Sequence, residues 1–277
     1  MSSSDIAKEL SDYIYQKKYS NSKGGLCKKR IQEFAHNLLE ILFPQIGERR
    51  FTSADQLFYA VLDSKIQLAT ILDCFTANYP NLGERKDKII EEFLGRLFDV
   101  EQMLQADAQY ILEEDPAAES IEEVITCYPG FFAIAIYRLA HELYLMEIPV
   151  LPRVLTEYAH VQSSVDIHPG AKIASPFFID HGTGIVIGET TIIGRKVKIF
   201  QGVTLGALSV DKGMQKTKRH PTIEDNCLIY SNATILGGNT VIGNNSIIGG
   251  NVWLTQSVEA NSQLYHLAET KLSQNKN

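Results

Sequence analysis

Apolar residues in the first half of this chain recur at intervals of three and four. Ile31, Phe34, Leu38 and Ile41 form one such stripe, and Ile90, Phe93, Leu97, Val100 and Leu104 form another, the spacing that puts side chains on one face of a helix. Residues from Leu57 to Phe75 are apolar on most faces, and Pro129-Gly130 breaks the chain before a further helical stretch from Phe131 to Leu145. The pattern predicts a helical bundle, whose plainest role is packing or oligomerisation. Past residue 150 the period becomes six: Val161, Ile167, Ile173, Ile179 and Ile185, then, after a shift of two, Ile187, Ile193, Ile199 and Leu205. A third run holds Ile223, Ile229 and Ile235 and, after a slip of one, Ile242, Ile248 and Leu254. Gly follows directly in Ile187-Gly188, Ile193-Gly194, Ile242-Gly243 and Ile248-Gly249. Six-residue repeats with a corner glycine predict a parallel β-helix, in which short strands point their aliphatic residues into one stacked column.

Composition draws the same division. Residues 1–150 hold 15 basic and 24 acidic side chains and 6 of the 19 glycines; residues 151–277 hold 11 basic, 9 acidic and 13 glycines. We therefore expect an α+β chain with a helical domain over 1–150, a β-helix over 151–260 and a polar tail over 261–277. The interval from Leu205 to Ile223 is 18 residues, a multiple of six, so a loop there leaves the column's register intact. The net charge of −7 argues against a general affinity for nucleic acid or anionic membrane. The longest apolar run, residues 131–137, ends at Arg138, far short of the roughly 20 residues of a membrane span. The first eight residues lack a secretory pattern, so a cytoplasmic location is expected. Cys27, Cys74, Cys127 and Cys227 have no Cys-x-x-Cys spacing, and read as reduced thiols rather than a zinc site or disulfide framework.

Three histidines of the repeat region lie in turn-like contexts: Asp166-Ile167-His168-Pro169, Asp180-His181-Gly182-Thr183-Gly184 and Lys218-Arg219-His220-Pro221. Asp166 and His181 are 15 residues apart, nearly one turn of a coil made of three hexapeptides, so a carboxylate and an imidazole come to one corner. Such a pair can take a proton from an alcohol, the imidazole as base and the carboxylate as its orienting partner. There is no Gly-x-Ser-x-Gly and no cysteine in these motifs, which favours direct attack by a substrate hydroxyl over an acyl-enzyme. A purely structural solenoid that recruits partners stays open beside this reading.

The chain also resembles the serine O-acetyltransferases, hexapeptide-repeat acyltransferases that make O-acetyl-L-serine from acetyl-CoA on the route to cysteine. The resemblance rests on residues 165–173, on Ile179-Asp180-His181-Gly182-Thr183-Gly184-Ile185-Val186-Ile187-Gly188-Glu189-Thr190, on residues 201–206 and on Lys218-Arg219-His220-Pro221-Thr222-Ile223. It implies a left-handed β-helix, with His181 as general base and Asp166 as its partner. By the same resemblance Asp115 and Asp180 hold the substrate ammonium, and Arg219 and His220 hold its carboxylate from a neighbouring subunit. Gly206, Ala207 and Ala233 would lie along the arm of acetyl-CoA, in a groove between the prisms of a trimer or a dimer of trimers. No metal is implied, and cysteine synthase is the family's partner protein.

Each assignment has a plainer counterpart: Asp180 as a turn cap, Asp115 as a helix-ending residue, Arg219 as a solvated charge. Three features depart from the family. The loop over 206–219 is long, the chain lacks the Gly-x-Pro-Ala-Arg tail that bears on cofactor binding, cysteine inhibition and cysteine synthase, and Leu236-Gly237-Gly238-Asn239-Thr240 carries one residue too many, expected as a bulge. The rival enzymes are an acetyltransferase for homoserine or a sugar, and a zinc hydro-lyase on the same β-helix. The hydro-lyase needs a third histidine where Asp225 stands.

Overall fold

The computed structural model describes residues 2–19, 28–209 and 217–267. Cys27, the middle of the expected long loop and the end of the expected tail lie outside them. The helical region comprises α1 (Ser3–Ile14), α2 (Lys28–Leu42), α3 (Ala54–Asp73), α4 (Pro80–Glu114), α5 (Ile121–Cys127), α6 (Pro129–Leu145) and α7 (Leu151–Ser163). Ile31, Phe34 and Leu38 of α2 are buried, as are Phe93, Val100 and Leu104 of α4, and the rings of Phe34 and Phe93 meet at 6.2 Å. These are the stripes read from the sequence. Pro80, Pro129 and Pro152 stand in the first turns of their helices, where a missing N–H costs nothing. No single described helix is long and apolar enough to cross a membrane.

The helical region outlasts the expected boundary. α7 continues to Ser163, and the chain turns into strand only after Ser164, which is left-handed at φ 59°. Val161, counted as the first repeat position, is instead an exposed residue of α7. A single aliphatic position cannot separate a period of six from a helix it happens to end.

Among the described residues fourteen strands follow: β1 (Val165–Ile167), β2 (Lys172–Ile173), β3 (Phe177–Asp180), β4 (Ile185–Ile187), β5 (Ile192–Ile193), β6 (Val197–Phe200), β7 (Thr204–Gly206), β8 (Thr222–Ile223), β9 (Leu228–Ile229), β10 (Thr234–Leu236), β11 (Val241–Ile242), β12 (Ile247–Ile248), β13 (Trp253–Leu254) and β14 (Gln263–Leu264). They form a three-sided parallel β-helix. The first face stacks β1-β4-β7-β10-β13, the second β2-β5-β8-β11, and the third β3-β6-β9-β12-β14. Ile167, Ile187, Leu205 and Ile235 lie in register up the first face, Ile173, Ile193, Ile223 and Ile242 up the second, and Ile179, Ile199, Ile229 and Ile248 up the third. All of these are buried, which is the period of six made physical. β8 pairs with both β5 and β11, so the 18-residue interval does keep the register. The extra residue at 236–240 is not a bulge. Leu236 lengthens β10 by one position opposite Gly206, and Gly237, at φ 105°, makes the turn. β14 also shows that the expected tail begins as a strand.

The two regions share one core. Their junction is polar where it holds the chain between β2 and β3. Arg138 of α6 grips Asp107 of α4 through Nε to Oδ2 at 2.6 Å and Nη2 to Oδ1 at 2.9 Å, and its Nη1 donates to the Ile173 carbonyl at 3.2 Å. Asp107 in turn accepts from the Phe177 N–H at 2.9 Å and the Ser175 hydroxyl at 3.0 Å. With every donor and acceptor matched, a buried pair of this kind fixes geometry. Gly130 opens α6 against the Ile179 backbone, where a Cβ would collide with the carbonyl. Both contacts steady β3, the strand that ends in Asp180.

Candidate active site

Two corners flank the first face: the leading corner, where the chain arrives from the third face, and the trailing corner, where it leaves for the second. His181 lies at the leading corner. Between β6 and β7 the same corner needs only Gln201, Gly202 and Val203, with one left-handed residue, Gly202 at φ 72°. Between β3 and β4 it has four residues, His181 to Gly184, three of them left-handed: His181 (φ 58°), Gly182 (φ 90°) and Gly184 (φ 78°). The left-handed region costs an L residue roughly 1–2 kcal/mol; Asn232 and Asn251 bear it at this corner in later coils, and His181 bears it here. The longer corner projects the imidazole outward, its side chain 72% exposed.

Acidic groups converge beside it. Asp180 Oδ1 lies 3.7 Å from His181 Nδ1, and its other oxygen lies 3.4 Å from Lys198 Nζ. From the helical region Asp115, the C-terminal cap of α4, presents its carboxylate to the Ala117 N–H at 2.9 Å and to the Tyr128 hydroxyl at 2.8 Å. Burial, the hydrogen bond to Asp115 and the negative charges of Asp115, Glu123 and Asp180 all push the Tyr128 phenol upward, so it remains a donor. Lys198 also donates to the carbonyl of Glu114, at 3.2 Å. Tyr128 thus feels the charges of both Asp115 and Asp180, and Lys198 joins Asp180, beside His181, to the residue before Asp115. The sequence reading missed Tyr128 and Lys198. The coil register could have exposed Lys198, since Phe178 and Asp180 stack directly on Lys198 and Phe200; nothing local marks Tyr128.

Asp166 is in the coil beneath. Its backbone is next to the His181 corner, for Gly184 N–H donates to the Ser164 carbonyl at 2.9 Å and a Cβ on Gly182 would press on Val165. The carboxylate itself engages Arg153 of α7 at 3.8 Å, and among the described residues no hydrogen bond or ion pair links it to His181. Asp166, Glu157 and His160 place ligand-type atoms within 4.8 Å of one another. Arg153 meets both carboxylates there, Glu157 at 2.6 Å.

Arg219 and His220 stand at the trailing corner, on the far edge of the first face. The Thr190 N–H donates to His220 Nδ1 at 3.1 Å, which leaves the hydrogen of the neutral ring on Nε2. Burial, then the Arg219 and Lys218 charges, push His220 down to about 4. Gly188 makes room for that ring, since a Cβ there would overlap it. Arg219 ion-pairs with Glu189, whose other oxygen accepts from the Tyr144 hydroxyl at 3.2 Å. Burial works against the Glu189 charge, but the guanidinium outweighs it and holds the carboxyl below its usual range. Gly206 and Ala207 share this corner, with the Gly206 carbonyl accepting from Gly237 at 3.1 Å. Ala233 belongs to the leading corner. Its side chain is fully buried and its N–H and carbonyl are bonded to Tyr230 and Thr204. Asp225 lies at the third corner, accepting from Arg195 N–H at 2.8 Å.

No family profile matches the chain. A serine acetyltransferase of Synechococcus elongatus is 40% identical over 247 residues, 82% of this chain and 77% of that protein. Among solved structures, serine acetyltransferase isoform 3 of Entamoeba histolytica in complex with cysteine aligns with a TM-score of 0.80 at 30% identity, over 99% of this chain and 96% of that one. A serine acetyltransferase in complex with CoA aligns at 0.59 and 28% identity, over 87% and 96%. The hexapeptide column, the helical region before it and this similarity along most of the sequence agree: the chain belongs to the serine acetyltransferase family.

Proposed function

We propose that this protein transfers the acetyl group of acetyl-CoA to the hydroxyl of L-serine, giving O-acetyl-L-serine and CoA for cysteine biosynthesis. The observation that carries the reading is the convergence of Asp115, Asp180 and His181, from two regions of the chain, on one corner of the prism. Two carboxylates beside an exposed imidazole suit an ammonium next to a hydroxyl, and fit a sugar acceptor poorly. His181 takes the proton of the hydroxyl as its oxygen attacks the thioester carbonyl. The tetrahedral intermediate collapses and expels the thiolate of CoA, which takes the proton back from the imidazolium. A thiol of pKa roughly 8.5 leaves easily. Asp166, one coil below, offers the compensating charge to the imidazolium.

Arg219 and His220 supply the other half of the site. A guanidinium and a neutral Nε2–H donor fit the acceptor carboxylate. They stand across the first face from His181, so one prism cannot bring them to the same serine. Three prisms packed about a common axis set the leading corner of one against the trailing corner of the next, and we propose such a trimer, with Gly206 and Ala207 on one wall of the groove that takes the pantetheine arm and Ala233 buried behind the other. Thiol release from acetyl-CoA on addition of serine tests the reading. We expect wild type to release CoA and His181→Ala to lose about a thousandfold in kcat, the scale of a general base. Release with homoserine or a sugar in place of serine would replace the acceptor, and none with any acceptor would leave a scaffold.

A further inference from the structure

Lys198 is the cation closest to the acidic cluster and has no part in the chemistry proposed above. It sits on β6, on the outer surface of the third face, yet its side chain is only 13% exposed. Its ammonium lies 4.3 Å from the ring centre of Phe178 and 5.0 Å from that of Phe200, attractive cation–π distances that fix a normally mobile side chain. Phe178 is held by the edge of Tyr110, at 6.4 Å, and Phe200 is stacked on Tyr230, at 5.1 Å. Tyr110 also ties α4 to the residue just before β6 through its hydroxyl, which donates to the Lys196 carbonyl at 2.9 Å.

The ammonium held this way has two polar partners, and they come from different regions. One is Asp180 Oδ2; the other is the carbonyl of Glu114, the last residue of α4. The last carbonyls of a helix lack intrahelical partners and carry the negative end of its dipole, so a cation is well placed there. The next residue is Asp115. Lys198 therefore bridges the two segments that deliver the two carboxylates of the cluster.

We propose that Lys198 is a positioning and specificity residue of the acceptor site, which sets the separation of Asp115 and Asp180 and offsets one of their two charges so that the site takes a zwitterion rather than a simple cation. This rests on the reading that those carboxylates hold an amino-acid ammonium. With both charges uncompensated the site would draw cations and repel the acceptor's own carboxylate. With one compensated, an ammonium still binds and the carboxylate is tolerated. Arginine in the same place would keep the charge and reach both partners.

The test uses the full chain as wild type, Lys198→Met, Lys198→Gln and Lys198→Arg, with thiol release giving kcat and KM for L-serine. L-serinamide, which keeps the ammonium and lacks the carboxylate, serves as a competitor. We expect Met and Gln to raise the serine KM with kcat within about threefold, and to lower the ratio of the serinamide inhibition constant to the serine KM by about fivefold, the scale of one partly screened charge. Arg should restore that ratio to within about twofold. An unchanged ratio in Met and Gln overturns the proposal, whether activity is kept or is lost equally toward both molecules, and so does failure of both neutral variants to fold while Arg folds. No serine-dependent release by wild type would strike the acceptor reading instead, and is seen before any variant is compared.

Discussion

The two corners of the first face are built from the same repeat and have opposite electrostatic character. At the leading corner the imidazole of His181 is exposed, the Asp180 carboxylate lies beside it, and Lys198 joins Asp180 to the end of α4, next to Asp115. At the trailing corner His220 is buried, neutral and flanked by Arg219 and Lys218. One corner is laid out for a cation beside a base, the other for an anion. Neither is a complete site for a zwitterion, and the prism holds them one face apart. On the reading proposed above, a single chain carries two complementary halves, which a trimer would bring together.

The strongest test of that comparison is complementation. His181→Ala should lose about a thousandfold in kcat, and Arg219→Ala about fiftyfold in kcat/KM for serine, the value of a charge-assisted hydrogen bond to a carboxylate. If each site takes His181 from one subunit and Arg219 from the next, assemblies formed from equal amounts of the two variants contain intact interfaces. Random association leaves about a quarter of the sites with both residues. Co-expressed, differently tagged chains should thus recover about a quarter of wild-type activity, far above either parent. Recovery no greater than the mean of the parents would place both halves in one subunit and break the comparison.

Much of this layout was legible in the sequence, and the places where it was not have physical reasons. The column of isoleucines read true because a β-helix has no other way to bury its centre. The shift of two between Ile185 and Ile187 marks the longer corner that carries His181: β4 keeps both residues inward, and Ile179 and Ile187 are eight residues apart where the matching Ile199 and Leu205 are six. α5 and α7 were not read, since α5 has only seven residues and α7 begins at the Pro-rich break taken for a boundary. Coil arithmetic pairs His181 with Asp166, whereas the structure sets the adjacent Asp180 3.7 Å from its Nδ1 and engages Asp166 with Arg153 of α7, a helix whose packing against β1 the repeat pattern does not reveal. Tyr128 meets Asp115 only because α5 and the start of α6 fold back on the end of α4, and a contact made by a tertiary turn leaves no local pattern. Glu189 was quoted within a motif, but its pairing with Arg219 depends on the stacking of the coils.

A smaller effect sharpens the contrast between the halves. Tyr128 and Tyr144 each donate to a carboxylate, Tyr128 to Asp115 at 2.8 Å and Tyr144 to Glu189 at 3.2 Å. Replacing Tyr128 with Phe removes a donor from a carboxylate proposed to touch the acceptor ammonium. We expect kcat/KM for serine to fall about fivefold, on the scale of one hydrogen bond to a charge. Tyr144→Phe weakens only the support of the Glu189–Arg219 pair, and should cost about twofold or less. Equal losses in the two variants would erase the distinction between a group that binds and a group that supports.

The smallest expected effect is a pH dependence confined to the trailing corner. His220 has a folded-state pKa of about 4, below the ordinary histidine value of 6.5, and burial pushes His168, on the same corner, in the same direction. Above pH 6.5 neither the folded nor the unfolded chain protonates these rings, and they contribute nothing to the slope of stability with pH. Between pH 6.5 and 4 the unfolded chain protonates His220 and the folded chain does not, so the contribution of His220 is lost as the pH falls through that window, and His168 acts in the same direction. Gln at position 220 can still accept from the Thr190 N–H but does not titrate. His220→Gln should therefore lose about 3 °C less than wild type between pH 6.5 and pH 4 in a thermal melt, whatever its stability at neutral pH. An acid loss in His220→Gln equal to that of wild type would show that the ring is not held neutral at this corner.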